Sequence, residues 1–237
     1  MCCGAPHNPT LAVIKSVDDY PFFRDVKSPL SDHQLRPLDP RCGRVQFSTP
    51  LKERDFEKLA RFLRAYPAIP LRIYGHYEHV PDLEFLQHFP FLKGFQADAL
   101  DLKDWDGLKY LPESLESLVL GSTRRTFSLD PIARFARLKR LYIDGHSQGL
   151  TVLSGLRHLE YLELRSVAVA NLALLTPLKS LKGLAIKLGG TKDLHHLPKL
   201  PSLRLLGGVE SSWAVRRYTR RGGEGASISL PSGSHRR

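Results

Sequence analysis

Three groups of side chains in this sequence have types and spacings that could do chemistry. GHYEHVPD at 75–82 sets His76 three residues from His79, with Glu78 and Asp82 beside them, the best local set of metal-capable ligands in the chain. A zinc site needs three or four protein ligands of fixed geometry, so two imidazoles in a polar stretch read as a solvated loop, and no metal is assigned. His195-His196 lies between apolar positions and reads as one exposed and one packed side chain. Arg216, Arg217, Arg220 and Arg221 form the densest basic cluster, a composition able to neutralise phosphates. P-loop and H-E-x-x-H patterns are absent, and the chain reads as a non-enzyme with no cofactor.

The formal net charge is +11, and its distribution decides how far the basic cluster can be pressed. Residues 1–50 carry six basic and five acidic side chains, 51–206 carry 23 and 17, and 207–237 carry six and two. Along the chain the excess is thin, so nucleic-acid binding through the tail is the alternative function and not the leading one. Cys2, Cys3 and Cys42 are an odd set without paired spacing, which argues against a disulfide framework. The start MCCGAPHNPTLAVIK lacks a basic segment followed by an apolar run, and no window approaches eighteen consecutive apolar residues. The expectation is therefore a cytoplasmic protein with no membrane partner.

The elements that would position any site follow from the apolar spacing. In LTVLSGLRHLEYLELRSVAVANLALLTPLKSLKGLAI, residues 150–186, a leucine recurs at every third position, twice over. At about 100° per residue, a step of three drifts about 60° around an α-helix and leaves no single stripe. Pro177, Pro198 and Pro201 fall inside these runs, where a helix interior would lose hydrogen bonds. Short elements are required. The unit starting at Leu129 recurs from Leu150, Leu172 and Leu194, at intervals of 21, 22 and 22 residues, with looser copies from Leu83 and Trp105.

LESLVL, LKRLYI, LEYLEL and LKGLAI, starting at 115, 138, 159 and 181, match L-x-x-L-x-L. On these residues the chain resembles leucine-rich repeat proteins with short repeats of 21–23 residues, of bacterial or protein-phosphatase-regulator type. The resemblance implies an α/β solenoid: an arc with a parallel concave sheet, short helical or extended returns, and a core made continuous by stacking. The family's Asn or Cys, which bonds buried turn backbone, is replaced by Thr123, His146, Val167 and Gly189. Thr and His are then expected to do this work in part.

Domain boundaries follow. Residues 1–43 hold six X-Pro pairs and read as an irregular flank, 44–206 as the repeat array, and 207–237 as a flexible basic tail. RVQFS at 44–48 reads as a strand, and Thr49-Pro50 as the start of a helix carrying Phe56, Leu59, Ala60 and Leu63. This βα unit would form the first repeat.

The architecture itself creates a surface. Leucines of L-x-x-L-x-L point inward, so the intervening residues face the concave side: Arg72, Tyr74; Gln96, Asp98; Ser117, Val119; Arg140, Tyr142, Asp144; Tyr161, Glu163, Arg165; Ala185, Lys187. The middle of this set is rich in Tyr and Arg, the types enriched where binding energy concentrates. The sequence thus points to a protein-binding scaffold, with Tyr142 and Tyr161 as neighbouring anchors forming one aromatic patch, and Arg140, Asp144, Glu163 and Arg165 as its polar frame.

Overall fold

The computed structural model describes residues 23–75, 82–188, 200–209 and 216–217. Their strands are β1 (Phe23–Asp25), β2 (Arg44–Phe47), β3 (Leu71–Gly75), β4 (Gly94–Ala99), β5 (Ser117–Leu120), β6 (Arg140–Asp144), β7 (Tyr161–Arg165), β8 (Gly183–Lys187), β9 (Leu205–Val209) and β10 (Arg216–Arg217). They form one sheet in chain order, parallel from β1 to β9, with β10 antiparallel to β9. The expected solenoid is the observed one. The sheet nevertheless begins before residue 44 and runs past residue 206, because Phe23–Asp25 pairs in parallel register with Arg44–Gln46 and β9 continues to Val209.

The returns explain the leucine count. Glu84–His88, Asp106–Tyr110, Asp130–Arg134, Leu150–Gly155 and Ala173–Leu175 are 3-10 turns. With three residues per turn, side chains three apart eclipse each other, so a spacing that smears around an α-helix stacks into a single column here. The hydrogen bonds follow the same count: Leu86 to Leu83, Leu108 to Trp105, Ile132 to Leu129, Leu156 to Leu153, Leu175 to Leu172 and Leu178 to Leu175, each an N–H donating to a carbonyl three residues back. Those side chains are fully buried and join one continuous core.

Four of the five returns are started by a small polar residue just before the first apolar one, and the fifth follows Gly149 in the left-handed region. Asp82 Oδ1 accepts from Glu84 N–H at 3.1 Å, Asp104 Oδ1 from Asp106 at 3.1 Å, Ser128 Oγ from Asp130 at 3.2 Å, and Asn171 Oδ1 from Ala173 at 2.9 Å. These acceptors satisfy amide groups that a helical start leaves orphaned. Between strand and return, His146 does what the repeat pattern leads one to expect. Its ring is buried, Nε2–H donates to the Gly121 carbonyl at 3.1 Å, and Nδ1 accepts from Phe127 N–H at 3.1 Å. The partners fix the neutral tautomer. Thr123 Oγ1 likewise donates to the Arg125 carbonyl. Val167 is simply buried, and Gly189 lies outside the described residues.

At the amino end, α1 (Glu53–Leu63) replaces a 3-10 return and buries Phe56, Leu59, Ala60 and Leu63 as expected. It starts later than Thr49-Pro50 suggests. Lys52 is the N-cap and offers no side-chain acceptor, and the Ser28 hydroxyl accepts from Lys52 N–H at 2.8 Å in its place. Ser28 and the Leu30 backbone also hold the buried Asp55 carboxyl below the usual carboxylate range. The 23–43 segment is therefore tied to α1 through hydrogen bonds as well as through β1.

Candidate functional site

The strand register sorts the outward-facing residues into rows. The central row runs Asp25, Gln46, Arg72, Gln96, Val119, Tyr142, Glu163, Ala185 across β1–β8. A second row holds Gly94, Ser117, Arg140, Tyr161 and Gly183, and a third pairs Tyr74 with Asp98 and Asp144 with Arg165 and Lys187. All of the positions assigned to this face by alternation lie on it.

The six candidate residues fall on β6 and β7 and are brought together, in an arrangement different from the expected one. Tyr142 lies opposite Glu163, and Tyr161 lies opposite Arg140. The tyrosines are therefore diagonal neighbours, not a stacked pair. Arg140 is exposed and sets its guanidinium 5.8 Å from the Tyr161 ring centroid, a cation–π distance. The Tyr142 hydroxyl donates to Asp144 Oδ2 at 3.3 Å, and Arg165 Nε stands 3.7 Å from the same carboxylate oxygen. Lys187 Nζ pairs with Glu163 Oε1 at 2.6 Å. Lys187 is thus a member of the cluster that residue types alone did not single out.

Burial and neighbouring charge together set the protonation of this cluster. Burial first, then the Asp144 carboxylate, pushes the Tyr142 phenol well above its ordinary value. The hydrogen bond with Tyr142 raises the Arg165 guanidinium in turn. Tyr142 therefore stays a neutral donor through the physiological range, and both carboxylates are matched by cations of the next strand. The patch presents two aromatic rings framed by compensated charges. Around it the face is low: Gly94, Ser117 and Val119 lie on the β4–β5 side, Gly183 and Ala185 on the β8 side.

A second polar network occupies β1–β4. Gln46 Oε1 accepts from Arg44 Nε at 2.8 Å and from Arg72 Nη1 at 3.3 Å, while its Nε2 donates to Asp25 Oδ1 at 3.1 Å. Tyr74 donates to Asp25 at 2.8 Å, and Arg72 pairs with Asp98. Burial and the Asp25 hydrogen bond raise the Tyr74 phenol. Asp25, Arg44 and Gln46 were missed in the sequence because β1 and β2 carry no L-x-x-L-x-L signal. Buried Arg44 and Gln46 suit a self-contained network better than a surface that takes a partner.

With this geometry established, comparison with known structures is informative. No protein-family model matches the chain, and no curated protein matches it in sequence. Among solved structures it is similar to internalin C2 from Listeria monocytogenes, at 19% identity and a TM-score of 0.52, covering 71% of this chain and 69% of that one. A second internalin, inlF from the same organism, is similar at 17% identity and a TM-score of 0.51, covering 73% of this chain and 55% of the internalin. Internalins are leucine-rich repeat proteins. The fold is a leucine-rich repeat solenoid. At these identities the likeness establishes the leucine-rich repeat architecture and not a shared partner.

The remaining chemistry-bearing residues resolve simply. His76, Glu78 and His79, His195-His196, Cys2 and Cys3, and Arg220 and Arg221 lie outside the described residues. Asp82 caps a return, and Cys42 is buried with Sγ donating to the Arg44 carbonyl at 3.3 Å. Among the described residues no group of three or more His, Cys, Asp and Glu could hold a metal ion, and no helix is long and apolar enough to cross a membrane.

Proposed function

We propose that this chain is a non-catalytic, cytoplasmic scaffold that binds a protein partner through the concave face of its repeat array. Tyr142 and Tyr161 are the anchors, and Arg140, Asp144, Glu163 and Arg165 orient the partner. The observation that carries this reading is the diagonal pair of half-buried tyrosines standing between low stretches of Gly, Ala, Ser and Val, with their charged neighbours already paired. Pre-paired charges hold the rings in place, so less side-chain freedom is lost on binding. Tyrosine also offers large contact area with a hydroxyl able to bond the partner.

The test is affinity capture of partners from the native host, followed by calorimetric titration. Tyr142→Ala with Tyr161→Ala should weaken binding by about 2 kcal/mol or more, roughly thirtyfold, without unfolding the array. Lys58→Ala, on the exposed side of α1, is the control and should bind normally. Undiminished binding by the tyrosine variant refutes the reading.

A further inference from the structure

Folding gathers charge that is thinly spread along the chain. In residues 145–188 every Asp, Glu, Lys and Arg lies in the strand or in the turn that enters it: Arg157, Glu160, Glu163, Arg165, Lys179, Lys182 and Lys187. The opposite turns, 145–149 and 166–171, and the returns 150–156 and 172–178, contain none. In these two coils one edge of the solenoid is charged and the other is neutral, whereas the turns leaving β4 and β5 on that other edge carry Asp101, Lys103, Asp104, Arg124 and Arg125.

The charged edge is predominantly basic and in register. Backbone N–H groups of Glu116, Lys139, Glu160, Lys182 and Arg204 donate to the carbonyls of Lys93, Glu116, Lys139, Glu160 and Lys182, so these residues form one column. Its two carboxylates are engaged from within: Glu116 by Lys139 at 2.8 Å and Glu160 by Lys182 at 2.9 Å. Just before this column, at the turns out of the last three returns, stand Arg137, Arg157 and Lys179, all exposed, with exposed His158 beside Arg157, while exposed Glu113 holds the equivalent place before Glu116. Arg140, over the Tyr161 ring, links the edge to the concave patch.

We propose that this basic edge is a second contact surface, which takes an acidic, extended segment of the protein partner held on the concave face. The inference rests on the concave-face reading for the partner's class and adds a separate surface. Three features favour a protein carboxylate ligand over nucleic acid. Acidic and basic groups alternate in the inner column, so the net excess is small, whereas duplex DNA presents one charge per about 1.7 Å. Cations recur once per coil, near the 4.7–4.9 Å strand spacing. Arg140 already occupies one face of the Tyr161 ring and Arg64 one face of the Phe91 ring, so among the described residues the edge carries no run of open aromatic faces on which successive bases could stack.

The experiment uses the full chain and a fluorescein-labelled poly-L-glutamate of roughly 20 residues, with an oligothymidylate of equal charge, followed by anisotropy at about 50 and 200 mM salt. Poly-glutamate should bind at the lower salt and weaken at the higher. R137Q/R157Q/K179Q should lose roughly tenfold in affinity with unchanged circular dichroism, and Y142A/Y161A should keep poly-glutamate affinity. Absence of poly-glutamate binding, equal binding by the triple variant, or tighter binding of the oligothymidylate each overturns the proposal. Failure of the concave-face reading is seen separately, as a captured partner that ignores Y142A/Y161A.

Discussion

His146 offers a test in which structure predicts both a magnitude and a pH dependence. The ring is 1% exposed, spans Gly121 and Phe127 through two hydrogen bonds, lies 5.8 Å from the Phe127 ring in a stacked geometry, and meets Trp105 edge-on at 4.8 Å. Replacement by Leu keeps volume but leaves an amide and a carbonyl without their partner, at about 1–3 kcal/mol each. The net loss should be about 3 kcal/mol, or about 6–12 °C in Tm for a chain of this size. Desolvation holds the imidazole below its ordinary pKa of 6.5 and outweighs the opposing Gly121 and Asp144 effects. A base with a depressed folded pKa leaves the unfolded chain as the better proton acceptor. Its stabilising contribution is therefore complete above about pH 6.5 and lost as pH falls through that value towards the folded pKa, at up to about 1.4 kcal/mol per unit. Protonation would also place a hydrogen on Nδ1 where Phe127 N–H already points. Urea unfolding between pH 7.5 and 5 should show this loss in the native chain, and His146→Asn, which cannot titrate, should show a flatter profile. Parallel profiles for the two proteins would refute the assignment of His146 as a neutral bridge.

Other expected outcomes are more local. Leu162→Asp, at a 2% exposed core position, should unfold or aggregate the protein, whereas Tyr161→Ala should leave its circular dichroism and melting nearly unchanged; equal damage would refute the strand register. Gly107→Ala should destabilise by about 2 kcal/mol or more in chemical denaturation, because its Cβ would overlap the Leu83 carbonyl, while Gly155→Ala, which meets nothing, should be neutral. Ser28→Ala should lower stability by about 1 kcal/mol in the same assay by removing the acceptor for the Lys52 N–H.

The array was legible wherever leucines recur, because burying one face of each coil imposes the same period on every repeat. The step of three excluded an α-helix without naming the 3-10 turn, since periodicity reports which side chains share a face and not which hydrogen bonds close. Asp82, Asp104, Ser128 and Asn171 were not singled out as return starts, because polar residues in a loop carry no distinguishing pattern until the amide they accept from is known. β1 was hidden because FRD has only three residues and an exposed Phe23. The candidate patch was found by alternation, which assigns a face correctly yet is blind to stagger between strands. Register was legible too, since aligning LKRLYI with LEYLEL sets Arg140 and not Tyr142 against Tyr161, as the strand pairing shows, but alternation alone does not use it.

The use of 3-10 turns in place of α-helices has a geometric consequence. Strands in a sheet are held about 4.7–4.9 Å apart, while an α-helix with its side chains occupies about 10–12 Å, so a coil closed by a helix must fan open on its outer side. Coils closed by the tighter 3-10 turn fan less, and the per-coil rotation that bends a solenoid falls accordingly. Among the described residues only the β2–β3 connection carries an α-helix, α1; from β3 to β8 every connection passes through a 3-10 turn. The arc should therefore bend most beside α1 and straighten towards β6–β8, where the tyrosines stand. A partner meeting them there encounters a shallow trough, suited to a broad, gently rounded surface more than to a narrow protruding loop.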